Sequence, residues 1–159
     1  MRSAGVLLFR RGAHGPEFFL VHPGGPFFAR KDAGAWSLPK GEVQENEDPF
    51  ATARREFEEE TGQSLAACTT GPATPLGTVR QAGGKIVEAW AIEGDWPPGA
   101  AFASQTFALE WPPGSGRMSE FPEVDRGEFF PLEIARTKLN VAQAEFLERW
   151  LERETSRSA

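Results

Sequence analysis

The sequence predicts an α/β fold in which a central mixed β-sheet is sandwiched between helices. Two observations support this prediction: one amphipathic helix interrupts a series of strand-like segments, and two helical segments follow the last strand. The chain has 159 residues, which is enough for one substantial core but short of the usual two-domain length. We therefore expect a single domain over residues 1–159, with a frayed tail from about residue 154.

Two strands are predicted at the beginning of the chain, over residues 3–9 and 17–22. Both segments are rich in branched and aromatic residues, and the turn-forming stretch RGAHGP between them predicts a hairpin. A Gly/Pro-rich segment, HPGGPFFARKDAGA, follows and is either a lid or a simple connection. Its two phenylalanines, and Trp36 after them, either stack on a base or pack beneath the sheet.

A helix is predicted between Asp48 and Gly62. The Asp48 side chain can accept unpaired amide hydrogens of the first turn, Pro49 suits the first helical position, and Gly62 is a suitable end. The buried side of this helix is predicted to consist of Phe50, Ala53 and Phe57.

Three carboxylates of this helix, those of Glu56, Glu59 and Glu60, lie at i, i+3 and i+4 and therefore within one sector. Their mutual repulsion disfavours the helix, and a divalent cation with oxygen ligands would convert that repulsion into binding. Arg55 falls beside Glu59 and can reach back to Glu47, where a bidentate pair would orient a metal-binding carboxylate. The alternative is a solvated acidic helix face without a metal.

The second half of the chain is predicted to be β first and α afterwards. Alternating segments predict strands over 74–81, 85–93, 102–111 and 128–132, with AGG as a hairpin turn between the first two. Helices are predicted over 132–139 and 140–154. Asn140 is the expected cap of the last helix, and Gln143 completes a capping-box pattern. The buried stripe of that helix is predicted to be Phe146, Leu147, Trp150 and Leu151.

The segment from Gly41 to Gly62 resembles the Nudix box, Gx5Ex7REUxEExGU. The matching positions are Gly41, Glu47, Arg55, Glu56, Phe57, Glu59, Glu60 and Gly62. Only the last position departs, because Gln63 stands where the family has an aliphatic residue. The resemblance implies a Nudix-type α/β/α sandwich with a central mixed β-sheet. It also implies an enzyme that hydrolyses nucleoside diphosphates linked to another moiety.

The resemblance further implies the cofactor and the catalytic residues. In the family, the carboxylates that match Glu56, Glu59 and Glu60 hold one or more divalent cations, here Mg²⁺ or Mn²⁺. The backbone carbonyl of the glycine that matches Gly41 often joins them. Within the box, Glu59 is the first candidate for the general base. Outside it, Glu123 resembles a downstream metal-binding glutamate of mutator-type members, and is otherwise a loop acid without a role.

Basic residues in two parts of the chain are candidates for substrate binding. Lys40 immediately precedes Gly41 in WSLPKGE, a stretch similar to the dinucleoside tetraphosphate and diphosphoinositol polyphosphate hydrolase branches of the family. From the Gly/Pro-rich segment, Arg30 and Lys31 could add to a phosphate site. The alternative is that both are exposed loop charges paired with Asp32.

Charge and cysteine content narrow the partners and the compartment. A net charge of -6 and a pI near 5.0 disfavour binding to duplex nucleic acid but leave room for small phosphorylated ligands. The resemblance implies that this ligand is a nucleotide. The apolar run near the N-terminus is too short for a membrane span, and no contact with a membrane is expected. With Cys68 as the single cysteine, a reducing cytoplasm is expected. The oligomeric state stays open.

Three functional hypotheses follow from these features. The leading one is divalent-metal-dependent hydrolysis of a pyrophosphate linkage in a dinucleoside polyphosphate or a nucleoside triphosphate. The second is a non-catalytic nucleotide-binding or sensing module on the same fold, which typically loses acids of the box, whereas this chain retains them. The third is a structural acidic helix, which leaves the spacing of Glu47 and Arg55 as coincidence.

Overall fold

A computed structural model describes residues 1–158 of the chain. Its strands are β1 (Arg2–Gly12), β2 (Gly15–Pro23), β3 (Lys40–Glu42), β4 (Thr74–Arg80), β5 (Ile86–Glu93), β6 (Thr106–Glu110), β7 (Met118–Pro122) and β8 (Val124–Pro131). Its α-helices are α1 (Pro49–Thr61), α2 (Leu65–Cys68), α3 (Leu132–Lys138) and α4 (Ala144–Ser158). Across residues 1–158, no helix combines the length and the apolar character needed to cross a membrane.

The main sheet has six strands in the order β4-β5-β1-β2-β8, with β3 also paired to β1. Strands β1 and β5 are parallel and the other pairs are antiparallel, so the sheet is mixed. Alternate residues of β1 point to opposite faces of the sheet. Val6 and Leu8 pack in the cluster that contains Phe57 of α1, whereas Leu7 and Phe9 pack in the one that contains Trp150 of α4. The predicted α/β/α sandwich is confirmed.

Helix α1 begins and ends at the predicted residues. The Asp48 carboxylate accepts a hydrogen bond from the backbone N–H of Ala51 at 3.1 Å. At the other end, Gly62 adopts a positive φ of 81°, and its N–H donates to the carbonyl of Glu58. Both ends are therefore closed by contacts local in sequence, which fixes the position of the acids between them.

The last helix begins differently from the prediction. Asn140 accepts hydrogen bonds from the N–H groups of Ala142 and Gln143, as a cap would. The Gln143 side chain is buried, however, and bonds to Ser37, Leu38 and Gln81. The predicted capping box is wrong because these distant polar groups use the Gln143 amide.

The buried side of α4 is the predicted one, and the helix is longer than predicted. Phe146, Leu147 and Trp150 are buried, and the partly buried Leu151 packs against them. The helix continues to Ser158, past residue 154, where a frayed tail was expected. This helix covers the sheet face opposite to α1.

The predicted strand over residues 102–111 is shorter and does not join the main sheet. Only β6 is extended, and it pairs with β7, which was not predicted, in a separate two-stranded sheet. The residues before β6 are hydrogen-bonded to the end of α1: the N–H of Ala103 donates to the carbonyl of Thr61, and that of Gln105 to the carbonyl of Glu59. These bonds direct the chain away from the main sheet.

The Gly/Pro-rich segment is attached to α3 as a connection. Gly34 donates to the carbonyl of Thr137, and Trp36 to the carbonyl of Lys138, both at 3.0 Å. Trp36 is buried and packs edge-on against Phe130, with ring centroids 4.9 Å apart. Asp32 pairs with Lys138, and the predicted alternative of a pair with Arg30 or Lys31 does not form.

Candidate active site

One polar cavity of about 380 Å³ lies between α1 and β3. The antiparallel pairing of β3 with β1 sets Gly5 opposite Lys40 and Ala4 opposite Gly41, directly beneath the acidic sector of α1. We call this cavity the acid cavity. Its lining residues are Lys40, Gly41, Glu42, Glu56, Glu59, Glu60, Lys85, Gln105 and Glu123.

The carboxylates of α1 are crowded in this cavity. Burial raises the pKa of Glu60, and the charges of Glu56 and Glu123 raise it further, although Lys40 opposes this effect. Burial also raises the pKa of Glu56, and repulsion from Glu59 adds to the rise. Ionising these carboxyl groups in the cavity therefore costs more free energy than ionising them in water. A bound cation would lower that cost.

Arg55 compensates part of this charge. Its guanidinium donates to both oxygens of Glu47 at 3.0 Å, so the predicted bidentate pair is present. The same side chain donates to Glu56 at 2.9 Å and to Glu59 at 3.1 Å. Together with the Thr52 hydroxyl, which donates to Glu47 at 2.7 Å, Arg55 lowers the pKa of Glu47 to about 2. Glu47 is thus held ionised as the anchor of Arg55.

Two lysines share the cavity with the acids. Burial and the neighbouring charge of Lys85 lower the pKa of Lys40, while Glu60 and Glu56 oppose the change. Lys85 was not predicted from the sequence, because it comes next to Lys40 only through the parallel pairing of β1 with β5. Adjacent ammonium groups repel each other, so a phosphate placed between them would be attracted by both.

Gln105 and Glu123 lie side by side at the open end of the β6–β7 hairpin, and both line the cavity. The N–H of Glu123 donates to the carbonyl of Gln105 at 2.8 Å. Among residues 1–158, no group donates a hydrogen bond to the Glu123 carboxylate. The structure therefore brings the predicted Glu123 to the box acids. Arg30 is exposed and does not line the cavity, and its role in substrate binding stays a prediction.

The cavity offers the type of ligand atom that a hard divalent cation prefers. In the described chain, no three acidic, histidine or cysteine side chains converge as a metal-ligand group. Arg55 pairs with the carboxylates of both Glu56 and Glu59. The cavity nevertheless brings together several carboxylates, three of them from α1, and carboxylate oxygens are the ligand type that Mg²⁺ and Mn²⁺ prefer.

Comparison with known proteins decides the family. A family model described as NUDIX domain matches residues 1–150. The chain belongs to the Nudix family. This membership confirms the resemblance noted from the box and the assignment to the Nudix pyrophosphohydrolases as an enzyme class. A search of curated protein sequences found no significant match.

Solved structures show the same Nudix fold at low sequence identity. A C. elegans Ap4A hydrolase binary complex has a TM-score of 0.70 at 20% identity, with 97% of this chain and 98% of that chain covered. A MutT protein from Methanosarcina mazei has a TM-score of 0.61 at 24% identity, with 98% and 94% covered. The NUDIX domain of Shewanella oneidensis NrtR, complexed with ADP ribose, has a TM-score of 0.63 at 18% identity, with 96% and 87% covered.

Proposed function

We propose that this Nudix protein catalyses divalent-metal-dependent hydrolysis of a pyrophosphate linkage in a nucleotide, either a dinucleoside polyphosphate or a nucleoside triphosphate. The observation that carries the proposal is that every acid of the box's metal cluster lines one cavity together with two lysines. Acids suit metal ions and lysines suit phosphates, so the cavity has both kinds of group that phosphoryl transfer needs. The crystallised C. elegans relative is an Ap4A hydrolase, which supports the nucleotide class.

Glu56, Glu59 and Glu60 are the proposed ligands of Mg²⁺ or Mn²⁺, together with the backbone carbonyl of Gly41. When bound, the cation neutralises phosphate oxygens and lowers the pKa of water. Burial and mutual repulsion already disfavour the ionised acids, so cation binding relieves a charge imbalance that the fold creates. Arg55 keeps two of the acids in position from behind.

The remaining groups act on the phosphates and on water. Lys40 and Lys85 contact phosphate oxygens and offset the charge that the leaving group acquires. Water adds to one phosphorus atom, and the bridging P–O bond breaks, with its electron pair leaving on the departing phosphate. Glu123 accepts the proton of the water, because no described group donates a hydrogen bond to its carboxylate and because it lies close enough for its charge to act on Glu56 and Glu60.

Gly41 is predicted to be required for the position of Glu56. A Cβ atom at Gly41 would lie 1.9 Å from the carboxyl carbon of Glu56, so Gly41→Ala must displace that flexible carboxylate. We expect turnover to fall about a hundredfold, because small misplacements of catalytic groups have effects of this size. Thermal denaturation should show little loss of stability. Gly71→Ala is the matched control, since its Cβ meets only ordinary contacts with Glu93.

The function is tested by incubating the purified protein with magnesium and nucleoside triphosphates, dinucleoside polyphosphates, nucleotide sugars and diphosphoinositol phosphates. We expect turnover of a nucleotide that stops when the metal is chelated. Glu59→Gln should abolish it, whereas Glu45→Gln, at an exposed position in the loop before α1 that lines no part of the cavity, should not. Absence of metal-dependent turnover of every compound, or equal turnover by Glu59→Gln, would overturn the proposal.

A further inference from the structure

A second cleft of about 530 Å³ adjoins the acid cavity on the C-terminal side of α1. We call it the outer cleft. Its lining residues are Arg55, Glu58, Glu59, Gly62, Ala103, Ser104 and Gln105. Two of these residues, Glu59 and Gln105, also line the acid cavity. The two spaces are therefore adjacent, and a ligand whose phosphates occupy the acid cavity can place its attached group in the outer cleft.

The outer wall of this cleft is fixed to α1 at several points. The Gln63 side chain donates to the carbonyl of Ala101 at 2.9 Å, and the N–H groups of Ala103 and Gln105 donate to the end of α1 at the same distance. Gln63 is the single departure from the box pattern, and an aliphatic residue there could not donate this bond. The wall therefore depends on a residue in which this chain differs from the pattern.

The charge of the outer cleft selects against further phosphates. Glu58 and Glu59 bring two carboxylates to it, and the guanidinium of Arg55 is the single cation among its lining residues. Arg55 is already engaged by Glu47, Glu56 and Glu59. A phosphorylated ring would meet net negative charge here, whereas an uncharged nucleoside would not.

Gln105 has the chemistry to recognise such a nucleoside. Its side chain is exposed at the junction of the two spaces and, within residues 1–158, makes no hydrogen bond. A glutamine amide presents a donor and an acceptor side by side, which matches the polar edge of a nucleobase or the hydroxyl groups of a ribose. Its backbone is held by Glu59 and Glu123, so the side chain projects from a fixed point.

We propose that the outer cleft binds the nucleoside of the substrate and that Gln105 is a specificity-determining residue that contacts it. The proposal rests on the proposed function, because it assumes that the phosphates occupy the acid cavity. It assigns nucleosides, and not polyphosphorylated inositols, as the class of group attached to the scissile phosphates. Gln63 is a positioning residue that acts through the wall of the cleft.

The test compares a ligand that has a nucleoside with one that lacks it. For the nucleotide that the substrate panel identifies, Gln105→Ala should raise KM about fivefold to twentyfold, the effect of losing one or two hydrogen bonds. The inhibition constant of inorganic tripolyphosphate, which has phosphates and no nucleoside, should stay unchanged. Gln63→Leu should likewise raise KM for the nucleotide and leave the inhibition constant of tripolyphosphate unchanged. Gln44 is exposed and lines neither cavity, so Gln44→Ala should alter neither constant.

The outcomes separate this inference from the proposed function. If Gln105→Ala changes both constants equally, or changes neither, the assignment of Gln105 is overturned while the hydrolase stands. Efficient turnover of diphosphoinositol phosphates in preference to nucleotides would contradict the nucleotide substrate of the proposed function, and the assignment of the outer cleft would be overturned with it. Absence of turnover by the unaltered protein would instead overturn the proposed function itself.

Discussion

Replacing Glu56 with glutamine should reduce metal-dependent turnover by about a thousandfold while leaving the fold intact. A metal ion contributes several kcal/mol of transition-state stabilisation, and each 1.36 kcal/mol corresponds to a factor of about ten in rate. Glutamine has the shape of glutamate and keeps an oxygen that can accept the hydrogen bond from Arg55. The change therefore removes charge with little effect on packing.

Thermal denaturation with and without Mg²⁺ distinguishes a metal ligand from a structural acid. Without metal, Glu56→Gln should be as stable as the unaltered protein or slightly more stable, because burial and Glu59 both disfavour the ionised Glu56. With metal, the unaltered protein should gain stability by mass action, and the variant should gain much less. A large loss of stability without metal would contradict this prediction and indicate a structural role for Glu56.

The residues that the sequence predicts best are those whose neighbours are local. The Asp48 cap, the Gly62 end and the acidic sector of α1 all depend on residues within a few positions of one another. Even the Glu47–Arg55 pair spans only eight positions and follows from the reach of arginine across one helical turn and a loop. Local geometry is sufficient for these features, and the structure contains each of them.

The residues that the sequence misses are brought to the site by long-range pairing. Lys85 approaches Lys40 only because β5 pairs in parallel with β1, and no periodicity in the sequence specifies that partner. Gln105 is brought to the site by a backbone hydrogen bond to the end of α1. Its segment alternates between apolar and polar residues, and this pattern predicts another strand of the main sheet. Gln143 shows the same limit, since its amide serves distant residues and not its own helix.

Replacing Glu123 with glutamine should lower kcat by about a thousandfold with little change in KM. General-base catalysis typically contributes between a hundredfold and ten-thousandfold, and a glutamine amide cannot accept the proton that the attacking water loses. Glu120→Gln, on the exposed part of β7, is the matched control and should retain full turnover. Steady-state kinetics on the nucleotide substrate measures both variants.

The metal-induced gain in thermal stability separates the role of Glu123 from that of Glu56. A base that touches water and not the cation can be neutralised without loss of the metal-induced gain, so Glu123→Gln should retain it while Glu56→Gln does not. The structure gives the reason for this difference. Glu56 lies on α1 beside Glu59 and Arg55, whereas Glu123 lies between β7 and β8, where its backbone bonds to Gln105 and Gly24. If Glu123→Gln loses the metal-induced gain, Glu123 is a ligand of the cation, and the base must be sought in the box, where Glu59 is the first candidate.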